Sequence, residues 1–102
     1  MVVVFITVDS QETAQKITEK LLTERKAACV NIIPKVESYY WWQGEIESAS
    51  EFLLIVKTRA ELLDELVTLV KQNHPYTVPE IITLPIISGS EDYLKWVERE
   101  TG

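Results

Sequence analysis

Val2 to Val8 is an apolar, mostly β-branched run, and it predicts a strand. Alternation sends Val2, Val4 and Ile6 to one side and Val3, Phe5 and Thr7 to the other, so this strand needs cover on both faces. The period then changes. Ala14, Ile17, Leu21 and Leu22 fall on one stripe of a helix, and Glu12, Gln15, Lys16, Glu19, Lys20 and Glu24 form its solvated face. Asp9 or Ser10 is positioned to cap it, and Asp9 with Glu12 has capping-box spacing. The helix fades around Lys26 to Ala28. Cys29 to Thr58 reads as a long hairpin, with an apolar run at Phe52–Val56 and a polar connection at Glu47-Ser48-Ala49-Ser50. Pro34 removes a ladder donor and predicts a bulge or an edge position. Beyond it, Val36, Ser38, Tyr40, Trp42 and Ile46 share one face, and Glu37, Tyr39, Trp41, Gln43, Glu45 and Glu47 share the other.

Thr58-Arg59-Ala60-Glu61 has capping-box spacing and opens a second helix with Leu62, Leu63, Leu66, Val67, Leu69 and Val70 inward. Pro75 ends that helix by His74. Glu80 to Ile87 is a fourth strand interrupted by Pro85, and Ser90 caps a last helix with Tyr93, Leu94, Trp96 and Val97 inward. The order β-α-β-β-α-β plus a terminal helix predicts an α+β, ferredoxin-like sandwich with a long central hairpin. Two helices cover one sheet face, yet every strand carries large apolar residues on both. A lone subunit would leave a broad apolar patch in water, which predicts a homo-oligomer whose sheets pack on one another.

A chain of 102 residues argues for one domain. The net charge of −6 argues against nucleic acid and against an anionic membrane as partners. No basic segment precedes a long apolar run, and no stretch reaches spanning length. A lone cysteine, Cys29, permits no intrachain disulfide and is compatible with a reducing cytosol. The residues point away from enzyme chemistry. Only Gly44, Gly89 and Gly102 occur, so there is no glycine-rich phosphate loop, and no nucleophile elbow is present. No arginine-bearing loop follows the first strand, as an acylphosphatase would need, and the aromatic pattern of RNA-recognition domains is missing. The glutamates on the helix faces read mainly as solvated positions among Lys and Arg that attract divalent cations weakly.

Ala28-Cys-Val-Asn-Ile-Ile-Pro34, Ser38-Tyr-Tyr-Trp-Trp-Gln-Gly-Glu-Ile46, Lys57-Thr58, His74-Pro-Tyr-Thr-Val-Pro-Glu-Ile81 and Tyr93-Leu-Lys-Trp96 occur in this order. Together they closely resemble the CutA family of divalent-cation-tolerance proteins, across essentially the whole chain. The resemblance implies a tight homotrimer, a cytoplasmic location for bacterial or archaeal members, and a part in metal-ion tolerance with copper binding proposed. It also implies a likeness in architecture to the trimeric PII signalling proteins. Some eukaryotic relatives carry an added N-terminal segment tied to membrane or secretory roles. The present chain opens directly on its first strand, so those roles are not carried over.

The resemblance maps one proposed copper ligand onto His74, and imidazole suits copper. The other family ligands fall on Ile6 and Asn73, which cannot replace them. His74 also fits a plain role at the end of the second helix, where a charged ring suits the helix dipole. Cys29 is a soft ligand candidate, although its apolar neighbours predict a buried, inert thiol. No tightly bound cofactor is expected. Asn31, Tyr40, Trp42, Lys57, Glu80 and Tyr93 are the polar and aromatic members of the matching segments. Lys57 with Glu80 would line a cleft between subunits that takes an anion or small polar ligand, or would form an interfacial salt bridge.

Overall fold

The computed structural model describes residues 1–102. Four strands, β1 (Val2–Val8), β2 (Cys29–Trp42), β3 (Glu45–Thr58) and β4 (Ile81–Pro85), form one antiparallel sheet in the order β2-β3-β1-β4. Three helices accompany it: α1 (Gln11–Thr23), α2 (Leu63–Asn73) and α3 (Glu91–Glu100). This is the ferredoxin-like α+β sandwich expected from the element order. No helix is long and apolar enough to cross a membrane.

α1 and α2 pack on the face that carries Val4, Ile6, Val8, Leu54 and Val56. Ala14, Ile17 and Leu21 of α1 and Leu66 and Val70 of α2 complete that core. Each fully buried Val, Leu or Ile there contributes about 1.5–3 kcal/mol relative to exposure. Leu22 is the exception to the expected α1 stripe and stands in solvent, since it lies one position round the helix from Leu21. α3 packs at the end of β3, with Val97 buried beneath it. Arg59 ties α3 down, donating from Nε to Thr101 Oγ1 at 2.9 Å and from Nη2 to the Thr101 carbonyl at 2.8 Å.

The caps agree with expectation in part. Ser10, not Asp9, caps α1, and its Oγ accepts from the Thr13 backbone N–H at 3.2 Å. Thr58 caps nothing. It is the buried last residue of β3 and donates to the Lys26 carbonyl at 2.6 Å, while a 3₁₀ turn at Ala60–Leu62 leads into α2. Ser90 stands at the start of α3 without a side-chain capping bond.

The hairpin turns earlier than the polar residues suggested. Gln43 and Gly44 form a two-residue turn with φ of 50° and 83°, the left-handed pair that matches strand twist. Glu47-Ser48-Ala49-Ser50 therefore belongs to β3 and pairs with Glu37–Tyr40. Moving the turn also moves Ile46, which pairs with Trp41 and lies on that residue's side. The bulge expected at Pro34 is present: the register slips by one between Ile33 and Val36, and Lys35 takes φ of 61°. β1 pairs only with Phe52–Thr58 of β3, so the rest of the hairpin projects as a two-stranded arm. That arm is about 23 Å long.

Candidate functional site

The side of the sheet away from α1 and α2 carries the residues that the sequence singled out. Strand alternation places Val3, Phe5 and Thr7 of β1 there, with Leu53, Ile55 and Lys57 of β3 and Ile82 and Leu84 of β4. Its middle is apolar. Its two ends are polar and opposite in character.

At one end, Cys29 pairs across the strands with Lys57, two residue pairs along the ladder from Asn31. The Lys57 ammonium donates to Asn31 Oδ1 and lies 4.0 Å from Cys29 Sγ. Tyr93 reaches the same place from α3. Burial and then the adjacent Cys29 thiol hold its phenol above the ordinary tyrosine range. Cys29 is half-buried, not fully enclosed as its neighbours suggested, because its strand is the sheet edge.

At the other end, the arm and the chain between α2 and β4 enclose a groove of about 760 Å³. Thr7 forms part of its floor, Tyr40 and Trp42 line it from the arm, and Tyr76 and Glu80 close it from the connection. Glu51 also lines this groove. Its side chain is on the sheet face of Leu53 and Ile55 and the residue is 5 % exposed. Tyr76 donates to Glu51 Oε2 at 2.7 Å. Burial, then that hydrogen bond and the carboxylate charge, push the Tyr76 phenol well above its usual range, so it remains a donor.

His74 holds the connection in place. Its Nε2 donates to the Thr7 carbonyl at 2.8 Å, and its Nδ1 accepts from the Tyr76 backbone N–H at 3.2 Å. Both ring nitrogens are engaged, which fixes the neutral tautomer, and the ring lies 4.7 Å from that of Tyr76. No group of three or more His, Cys, Asp or Glu side chains is gathered for a metal. His74 and Cys29 belong to opposite ends of the sheet, so one subunit cannot bring them to a common ion.

The expected cleft residues thus divide. Asn31, Lys57 and Tyr93 stand with Cys29, and Tyr40, Trp42 and Glu80 stand at the groove. Lys57 pairs beside Val3, whereas Glu80 precedes the Ile81 that pairs with Ile6, so the two cannot meet within a subunit. Sequence reasoning passed over Glu51 and Tyr76. The available signal was a charged residue in phase with Leu53 and Ile55 immediately before an apolar run.

A model of the CutA1 divalent ion tolerance protein family matches residues 2–100. The divalent-cation tolerance protein CutA of Thermus thermophilus is 51% identical over 100 residues, covering 98% of this chain and 97% of that protein. A solved structure of the Thermus protein gives a TM-score of 0.97 at 50% identity and covers all of both chains. The structure described as the periplasmic divalent cation tolerance protein CutA of Archaeoglobus fulgidus gives 0.96 at 43% identity, again over both whole chains. Protein CutA 1, chloroplastic, of rice is 47% identical over 100 residues, which is 98% of this chain and 56% of the rice protein. The chain therefore spans about half the length of that plant relative. These relatives are named for different compartments, the chloroplast for the rice protein and the periplasm for the Archaeoglobus protein.

Proposed function

The chain belongs to the CutA1 divalent ion tolerance family, and from that membership we propose that it works as a homotrimer that binds copper or another divalent cation where subunits meet. The observation that supports the assembly in this reading is the open apolar sheet face. Ile82 and Leu84 on that face are 52 % and 46 % exposed. Three such faces closing on one another would bury them and bring opposite ends of neighbouring sheets together. Cys29 of one copy and carboxylates of the next are then the donors to examine. His74 enters such a site only by giving up its bond to Thr7. In this reading the protein is non-catalytic and acts in the cytosol, where its half-buried thiol stays reduced.

A second reading, a PII-like sensor or scaffold for a small ligand or partner, draws support from the groove lined by Tyr40, Trp42 and Glu80. Calorimetric titration of Cu²⁺ into chelator-stripped protein at high salt separates the two. Saturation at a simple ratio to the assembled protein is expected for coordination. Uptake that vanishes as salt is added reports only the acidic surface and overturns the metal reading. Sedimentation equilibrium showing a monomer at micromolar concentration overturns the assembly on which it depends.

A further inference from the structure

The open sheet face carries opposite charges at its two ends, and neither is paired within its own subunit. At one end the half-buried Lys57 ammonium donates to Asn31 Oδ1 and lies beside the Cys29 thiol. At the other, Glu80 stands just before β4 on the face of Ile82 and Leu84, and no Lys or Arg lines the groove it faces. None of the four salt bridges in the subunit includes Lys57 or Glu80. Glu51 adds to the negative potential at the Glu80 end, although its own hydrogen-bonding need is met by Tyr76.

The register keeps these charges apart. Lys57 pairs with Val3, and Ile81 pairs with Ile6, on opposite sides of β1. Glu80 is therefore about 13 Å along the strands and about 10 Å across them from Lys57. At that separation two charges near water are largely screened from one another. The surface between them is apolar, and Ile82 and Leu84 on it are 52 % and 46 % exposed. The identical face of a second copy offers a cover of matching size and shape. Seating like ends together would press Lys57 on Lys57 and crowd Glu80 with further carboxylates, which costs energy once water is excluded. Seating opposite ends together sets the unpaired ammonium on the unpaired carboxylate.

We propose that a second copy of this chain closes the open face end to opposite end, with the Lys57 ammonium of one copy on the Glu80 carboxylate of the next. The inference rests on the assembly proposed above and adds its direction and its charged contact. In a ring of three, each subunit gives its Lys57 end to one neighbour and receives the other neighbour's at Glu80, so every charge is matched once. Of the two expectations held for Lys57 and Glu80, this one makes them a bridge between subunits and leaves no free ammonium for an anion.

The test is charge reversal in the full chain, read by sedimentation velocity over graded dilution and, for an assembly too tight to dilute apart, over graded urea. Lys57→Glu and Glu80→Lys are each expected to raise the dissociation constant about tenfold or more. The double variant is expected to return it to within about threefold of the wild type. Recovery of that kind cannot arise inside one subunit, because the two positions are too far apart there to couple. Single reversals that leave assembly unchanged, or losses that simply add in the double variant, overturn the pairing while the assembly stands. A wild-type protein that is monomeric at micromolar concentration overturns the assembly itself, and this inference with it. Should a reversal variant fail to fold, the same cycle with Lys57→Gln and Glu80→Gln measures the coupling, and additive losses there overturn the pairing too.

Discussion

The two faces of the sheet are built from nearly the same residue types and end in different states. On one, Val4, Ile6, Leu54 and Val56 are wholly enclosed by α1 and α2. On the other, Val3, Phe5 and Ile55 are half-buried and Ile82 and Leu84 stand well into solvent. Strand alternation makes both faces apolar, but only the helices decide which one is sealed within the subunit. An open apolar face flanked by polar ends is what remains for association and for ligands.

The largest contrast between the faces lies in their response to cavities. Ile6→Ala removes a side chain with no exposure, and it is expected to cost about 2–5 kcal/mol in chemical denaturation. A loss below about 1 kcal/mol would mean that the helix-covered side is not the principal core. The open face is expected to respond through assembly. Leu84→Asp places a charge on that face, where the side chain is partly solvated, so the subunit should fold while the oligomer dissociates. Sedimentation velocity reads the outcome, and a variant that remains fully assembled would remove Leu84 from the contact.

A smaller effect concerns the acidic end of the open face. The Tyr76 phenol is held above its ordinary value of 10.0, so the folded protein binds that proton more tightly than the unfolded chain does. Its contribution to stability is complete below that value and drains away as pH rises towards the higher folded value. Tyr93 acts in the same direction. The thermal midpoint should therefore hold steady up to about pH 9 and fall as the pH is raised beyond about 10. The fall should be shallower in Tyr76→Phe. Identical slopes in the two proteins would show that the Tyr76–Glu51 hydrogen bond is absent in solution.

Much of this was readable from single residues. The slip at Pro34 followed from a missing donor, and the end of α2 at Asn73 followed from Pro75. The need to cover both faces of β1 followed from alternation alone. Capping was less readable. Ser10 and Asp9 are both capable caps, and Thr58-x-x-Glu61 satisfies the capping-box spacing, yet Thr58 is withdrawn into β3 by its bond to Lys26. The turn was misplaced because Glu47–Ser50 is polar. A projecting two-stranded arm has no core to face, so its polarity carries no information about where the chain reverses, whereas Gly44 does.

The sequence by itself determined the element order, the ferredoxin-like sandwich, the family and the excess of apolar surface, because these depend on periodicity, on turn and breaker residues, and on ordered local motifs. The tertiary structure alone decided which candidates share a site. It divided Lys57 from Glu80 along the sheet, engaged both nitrogens of His74, and set Glu51 beneath Tyr76. The physical reason is that a side chain's partners depend on strand register and on where a distant connection folds back, and neither is written in the residues next to it.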